Sequence, residues 1–261
     1  MKRTLTKIDF SSYPESISEY FQNAKIYDSS CSPEAKVIFI DKDCGYYLKT
    51  ASKGALRDEA EMTRYFHSKG LSSSVIEYIS DERDYLLSER VAGEDCTHAA
   101  YIENPTRLTD TIAQNLRMLH ETDSADCPKK DRTGDYLRRA SENYKNKEYD
   151  TSYLLPKLSS LSVNQVWDYI CRNKGFLKNE VLIHGDYCLP NVMLDGWQLS
   201  GFIDLGFAGV GDRHVDLFWG AWTLAFNLKT DKYRERFFDA YGREKLEPEI
   251  INLISAIEVF G

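Results

Sequence analysis

The chain has 261 residues, 42% hydrophobic and 28% charged, a balance that excludes a disordered polymer and suits one large globular domain or two modest ones. A net charge of -8 sets nucleic acid aside and suits a cationic small molecule. No stretch approaches the ~20 apolar residues that span a bilayer, no apolar run follows MKRTLTKIDFSSYPES, and the six cysteines are scattered without a C-x-x-C pair. The expectation is a cytoplasmic protein without a signal peptide, a membrane partner or a disulfide framework.

In chain order, "AKVIFI", "DKDCG" and "YYLKT" predict a hairpin, two β-branched and aromatic runs around a turn rich in Asp and Gly. "GALRDEAEMTRYFHSKG" then predicts a helix bracketed by Gly54 and Gly70, with Ala55, Glu59, Met62 and Phe66 on one face. Glu59 stands within that apolar face, where a carboxylate needs a partner. "SVIEYI" and "DYLLSERV" predict two further strands joined by the turn Ser80 to Arg83.

Beyond Ser88 to Gly93 helical patterns dominate. Asn104 before Pro105 predicts an N-cap with proline in the first turn, and Leu108, Ile112, Leu116 and Leu119 form a stripe ending near His120. "CPKKDRTGD" reads as a loop, and residues 136–147 and 162–173 as helices. "VDLFWGAWTLAFNL" is apolar almost all round and predicts a buried helix; "KYRERFFDAYG" and "EPEIINLISAIEVF" close the chain as helices. The pattern divides into a β-rich lobe, residues 1–90, and a larger mostly helical lobe, residues 91–261, with a hairpin embedded in it.

That hairpin, in "VLIHGDYCLPNVMLDGWQLSGFIDLG", turns at Asp195-Gly196. His184, Asp186 and Asn191 precede its first strand and Asp204 ends its second, so antiparallel pairing makes Asn191 and Asp204 neighbours. Their oxygens suit a hard cation such as Mg²⁺, which takes the rest of its shell from water and phosphates. Asp186 is placed to accept a proton from an attacking hydroxyl. A transition-metal site at His184 and Asp186 is the alternative, but no second His lies at ligand spacing. Lys49 ends the strand "YYLK", and pairing with it accounts for Glu59. A strand Lys, a helix Glu, "HGDxxxxN" and "IDLG" in this order make the kinase pattern of phosphoryl transfer.

"HGDYCLPN", "LSGFIDLG", "YLLSE", "DEAEMTRYF", "LHETDSADCP" and the closing "EVF" resemble the aminoglycoside phosphotransferases of the protein-kinase-like superfamily, in particular the 3'-phosphotransferases or kanamycin kinases, from about Ile26 to the C-terminus. The resemblance implies an α+β, protein-kinase-like two-lobe fold. It also implies an ATP- or GTP-dependent, Mg²⁺-assisted enzyme of resistance, acting on a cationic aminoglycoside as a monomer or weak dimer. On its motifs Asp186 is the catalytic Asp and Asn191 and Asp204 the metal ligands. Lys49 contacts the phosphates with Glu59 as its partner, and Ser88, Glu89, Arg90 and Val91 form the hinge that meets the adenine. "SSCSPEAKV", with Ser30 and Ser32 and no glycine, is the loop over the phosphates; His184 and Asp216 brace the catalytic loop.

The substrate side departs from the family pattern. Phe207 follows "IDLG" where the family has Arg, Trp222-Thr223 replace an Arg-Asp pair, Ile257 removes one of two terminal acids, and Gly261 extends past Phe260. Trp222, Glu258 and Phe260 remain substrate candidates, and Asp150, with Glu148 in the same "NKEYD", offers acid to a cationic sugar or is a solvated loop. Two other readings stay open: a kinase of the same fold acting on another antibiotic or a small metabolite alcohol, and a non-catalytic nucleotide-binding module.

Overall fold

The structure is a computed structural model and describes residues 3–31 and 35–261. In chain order the first elements are β1 (Thr4–Leu5), α1 (Glu15–Phe21), β2 (Lys25–Asp28), β3 (Lys36–Asp41), β4 (Tyr46–Ser52), α2 (Arg57–Ser68), β5 (Val75–Ser80), β6 (Arg83–Glu89) and β7 (Glu94–Asp95). They continue as α3 (Ala99–Ile102), α4 (Pro105–Glu121), α5 (Arg132–Asn146), α6 (Val163–Asn173), β8 (Val181–Ile183), β9 (Val192–Asp195), β10 (Gln198–Phe202), β11 (Gly209–Gly211), α7 (Arg213–Leu228), α8 (Arg234–Tyr241) and α9 (Pro248–Glu258).

Two compact units result, one of Met1–Cys96 with Pro190–Gly206, the other of Thr97–Leu189 with Phe207–Gly261. A simple division after residue 90 leaves the β9–β10 hairpin among the helices, and the structure corrects this. The edge of β9 pairs with β7, the Phe202 amide donates to Leu71 O at 2.8 Å, and the Ser72 hydroxyl donates to Phe202 O at 2.8 Å. Buried backbone groups must find partners, and those of the hairpin find them in the first unit.

The first unit is built on an antiparallel sheet of order β1-β2-β3-β4-β6-β5. Ile38, Leu48 and Leu87 are aligned across three strands and pack with Ile17 and Phe21 of α1. One residue along, Val37, Lys49 and Leu86 are aligned and therefore share the opposite face, where Leu86 and Ala51 meet Leu56 and Ala60 at the start of α2. Sheet period alone thus puts the Lys49 stem on the α2 side.

The helix begins later than its flanking glycine suggests. Ala55 is exposed in the turn before it, and Leu56 takes the buried place. The start is fixed by the buried Asp84 of β6, which accepts from the amides of Gly54 (2.9 Å) and Leu56 (2.8 Å) and from the Tyr78 hydroxyl (2.9 Å). The hairpin turn is also displaced by one residue: Asp195 pairs with Gln198, so the loop is Gly196-Trp197, with Gly196 at φ +63°. Glycine at the first loop position with φ above zero suits the twist of a two-residue hairpin. A bulge between Leu199 and Gly201 then shifts the register ahead of Asp204.

The second unit contains α3 to α9 and the pair β8–β11, whose three-residue strands are too short to show a period in the sequence. The α4 stripe Leu108, Ile112, Leu116 and Leu119 is fully buried. Asn104 occupies the N-cap position of α4, but its side chain donates back to Ala100 O at 3.1 Å and caps nothing. The predicted loop at 127–135 is cut short because Asp131 caps α5 through the Gly134 amide at 2.9 Å. On α7 most residues are buried, but Phe226 is 55% exposed, so the helix is not enclosed all round. Among the described residues no helix is long and apolar enough to cross a membrane, and the six cysteines are free thiols.

Candidate active site

A cleft in the first unit is lined by Tyr47, Lys49, Glu59, Ser88, Met193 and Asp204, among others. Within it the Lys49 ammonium donates to Glu59 Oε2 at 2.8 Å and to Asp204 Oδ1 at 2.5 Å. Burial works against the charge on Lys49, but the Glu59 and Asp204 carboxylates outweigh it and hold the amine above its ordinary range. Burial likewise lifts the Glu59 carboxyl, with Lys49 pulling it the other way. The asymmetry lies in exposure: the Glu59 side chain is 12% exposed and that of Asp204 50%. Glu59 therefore serves Lys49, whereas Asp204 keeps surface for something else.

Asp204 adopts φ +59°, a left-handed conformation uncommon outside glycine. The Ile203 amide donates to Asn191 O at 3.1 Å, which continues the hairpin ladder and sets Asn191 against the residue preceding Asp204. A buried Asn beside a half-exposed Asp, with two carboxylates against one ammonium, leaves an excess of negative charge that fits one hard cation sharing its shell with phosphates. Among the described residues no three His, Cys, Asp or Glu side chains gather as a metal set, so a site of protein ligands alone is not built.

Ser88, Glu89 and Val91 line the same cleft. Two backbone amides of this segment are engaged, Glu89 with Ser74 O at 3.0 Å and Arg90 with Gly45 O at 2.9 Å. The Arg90 guanidinium donates to Gly93 O at 3.0 Å. The Ser30 hydroxyl accepts from the Val37 amide at 3.0 Å, which ties it to β3. Ser32 lies outside the described residues. Ser29 does line the cleft, and its buried hydroxyl has no hydrogen-bond partner among the described residues.

The second unit carries Asp186 on the irregular segment after β8. The buried Asp216 of α7 accepts from the His184 amide at 2.7 Å and the Gly185 amide at 2.8 Å. It also meets His120 Nε2 at 3.1 Å, and the chain continues from His120 Nδ1 to the Tyr241 hydroxyl at 2.8 Å. Burial lowers the His120 pKa, opposed by Asp216. The Asp186 amide donates to His184 Nδ1 at 3.3 Å, which puts any neutral-ring proton on Nε2 and takes Nδ1 out of use as a metal ligand. The Tyr187 hydroxyl donates to Ile112 O at 2.7 Å, and the Leu189 amide to Thr223 Oγ1 at 3.1 Å. Gly185 has φ +83°, and a Cβ there would lie 2.3 Å from Phe207 O, so only glycine passes. Asp186 is thus carried on a loop held at nearly every residue, which suits a proton acceptor positioned in advance.

A family model described as the phosphotransferase enzyme family matches residues 32–250. The chain belongs to that family. A probable aminoglycoside 3'-phosphotransferase of Lactococcus lactis is 49% identical over 260 residues, which span 98% of this phosphotransferase and 97% of the relative. The aminoglycoside 3'-phosphotransferase of Niallia circulans is 29% identical over 207 residues, 78% of each chain. Among solved structures, the aminoglycoside phosphotransferase APH(3'')-Id of Streptomyces rimosus aligns with a TM-score of 0.77 at 20% identity, covering 97% of this chain and 99% of that one. The likeness establishes an α+β, kinase-like fold.

The remaining candidates of the phosphotransferase all lie in its second unit and differ in surroundings. The exposed Asp150 carboxylate accepts from the Ser152 amide at 2.8 Å, which holds it below the ordinary range. Buried Glu258 accepts from the Tyr136 hydroxyl at 2.7 Å and Trp219 Nε1 at 2.8 Å; burial raises its carboxyl to about 7 despite both donors. Phe260 is 1% exposed, its ring packed on Tyr144 and Trp167, so it has no surface to give a ligand and serves as core. Phe207, half exposed, lies under the Arg139 guanidinium, 4.5 Å from its ring centroid. Trp222 is half-buried among other rings. Asp84, His120 and Tyr241 escaped the sequence reading because each works through a partner far away in the chain. His120 had the better signal, a histidine at the end of an apolar stripe.

Proposed function

We propose that this phosphotransferase moves the γ-phosphate of ATP to a hydroxyl of an aminoglycoside, the 3'-hydroxyl of kanamycin- or neomycin-type antibiotics, in the cytoplasm where ATP is supplied, and so confers resistance. The observation that carries the acceptor class is the 49% identity, over nearly the whole of both chains, to the probable aminoglycoside 3'-phosphotransferase of Lactococcus lactis. The Lys49–Glu59–Asp204 arrangement supports the nucleotide half.

In this reading Tyr47, Ser88, Glu89 and Val91 wall the base, and Lys49, held by Glu59, contacts the phosphates. Asn191 and Asp204 would hold Mg²⁺, which when bound neutralises phosphate charge during transfer. Asp186 takes the proton of the acceptor hydroxyl; that oxygen forms a bond to the γ-phosphorus while the bond to the β,γ-bridging oxygen breaks and ADP leaves. Asp216 and His184 keep the loop in shape for that transfer.

The test is purified protein with Mg-ATP and a panel of hydroxyl-bearing acceptors, read by mass. A gain of one phosphoryl group on kanamycin and neomycin is expected. Transfer only to neutral alcohols or to another antibiotic class would replace the acceptor, a reading favoured by Phe207, Trp222 and Ile257 at positions where the family resemblance implies Arg, Arg and acid. No transfer to any acceptor from folded, ATP-binding protein refutes the enzymatic roles.

A further inference from the structure

Four rings of the second unit form a continuous wall. Trp219, Trp222 and Phe226 recur at i, i+3 and i+7 on α7, one stripe of the helix. Trp219 meets Trp222 edge-on with centroids 5.4 Å apart, and Trp222 stacks on Phe226 at 4.9 Å and 10°. Tyr153 leans on both tryptophans, at 5.6 and 6.0 Å. This wall is not wholly core. Phe218, whose ring meets Trp219 edge-on at 5.6 Å, is 1% exposed, whereas Phe226 is 55% exposed and Tyr153, Trp219 and Trp222 are half-buried.

The helix that carries the wall also holds the Asp186 loop, through Asp216 and Thr223. Thr223, the next residue after Trp222, accepts from the Leu189 amide at 3.1 Å on the same segment as Asp186. Trp219 donates to Glu258 at 2.8 Å. Burial raises the Tyr153 hydroxyl, and Asp150, Glu258, Cys188 and Asp186 add to it, so these groups lie within electrostatic reach of the inner end of the wall. At its outer end the Lys229 ammonium lies 4.2 Å from the Phe226 centroid, a cation already on an aromatic face.

An aromatic face offers two things to a polyamino sugar: a flat apolar surface for the C–H face of a ring, and a negative quadrupole for an ammonium group. The exposed Asp150 adds acid near its Tyr153 end. We propose that Trp222, flanked by Trp219, Phe226 and Tyr153, is a specificity-determining surface on which one ring of the cationic acceptor stacks. This rests on the aminoglycoside reading above and deepens it. The acceptor is then selected by a ring face and its ammonium groups as well as by carboxylates.

The experiment compares wild type with Trp222→Ala, Trp222→Phe and Phe226→Ala, using kanamycin and neomycin as acceptors. Trp222→Ala is expected to raise the acceptor KM about tenfold with kcat and the ATP KM within about twofold, and Trp222→Phe to restore most of the loss. Kanamycin added to nucleotide-free wild type should change tryptophan fluorescence, and Trp222→Ala should lose that change although Trp167, Trp197 and Trp219 remain. Phe226→Ala, at the exposed end, should raise the acceptor KM about threefold and keeps the test decisive where Trp222→Ala does not fold. Unchanged acceptor KM in the variants with wild-type turnover intact overturns the wall and leaves the aminoglycoside reading standing. A wild type that phosphorylates no aminoglycoside overturns both.

Discussion

The two units use an aspartate in opposite ways. Asp204 of the first unit has a half-exposed side chain, adopts a left-handed backbone and has an ammonium beside it. Asp216 of the second is fully buried and spends its oxygens on two backbone amides and His120. Neither is a surface ion pair of the kind that contributes little. The difference teaches how to separate a carboxylate with surface to spare from one that shapes the chain: the first keeps surface and charge in reserve, the second has both oxygens committed. The same contrast runs through their surroundings. In the cleft, β4 carries Lys49 and the bulged β10 leads to Asp204; around Asp186 the backbone is irregular and is held by the α7 side chains Asp216 and Thr223 and by the α4 carbonyl of Ile112.

Substitutions at the two kinds of position should therefore fail differently. The largest effect is expected at Asp186→Ala, a loss in kcat of about 10²–10⁴-fold, the usual worth of a positioned proton acceptor. Nucleotide affinity by equilibrium dialysis should stay unchanged, whereas Asp204→Ala should lower both turnover and Mg-ATP affinity. Near-normal turnover in Asp186→Ala would mean another group takes the proton.

Next comes Asp216→Ala, which strands two buried amides and His120. A loss of about 3–5 kcal/mol in urea unfolding is expected. A loss in kcat with unchanged unfolding midpoint would place Asp216 among the ligand-handling acids and break the contrast.

Glu258 gives a smaller, pH-dependent effect. Its folded-state pKa of about 7 lies above the ordinary 4.5, so the folded state holds this proton more tightly than the unfolded chain does. Its contribution to stability is complete below 4.5 and is lost as the pH rises through about 7. Glu258→Gln keeps an oxygen for Tyr136 and Trp219 and removes the titration. It should therefore gain on wild type between about pH 5 and about pH 8, by at most about 3 kcal/mol. A constant difference across that range in urea unfolding would show that Glu258 titrates normally.

The smallest effect is expected at Asn104→Ala. Its side chain bonds Ala100 O and caps nothing, so thermal unfolding should shift by less than the ~1 kcal/mol of a working N-cap. A larger loss would restore the cap that the Asn-Pro pair suggests.

Much of the site was legible because its spacing is local. The order of Lys49, Glu59, Asp186, Asn191 and Asp204 needs no structure, and the Asp-Gly turn brings Asn191 toward Asp204 even though the loop sits one residue further on. Glu59 announced itself as a carboxylate on an apolar helix face, and Lys49 is what it meets. The longer helices and strands followed from period and composition, with errors at their ends: α2 starts after Ala55 because Asp84 fixes it, and α5 starts early because Asp131 caps it. The short elements α1, α3, β1, β2, β7, β8 and β11 were not predicted, because a few residues carry too little pattern.

Sequence by itself determined the periodicities, the turn residues and the ordered set of charged side chains, because each depends on neighbours within a few residues. Only the tertiary structure decided that the hairpin joins the first unit, that Asp216 binds two amides, that Phe260 is core and that the aromatic stripe of α7 stays partly uncovered. Each of those depends on which distant group fills a hydrogen bond or covers a ring, and the cost of leaving a buried polar group unpaired is settled only when the whole chain has packed.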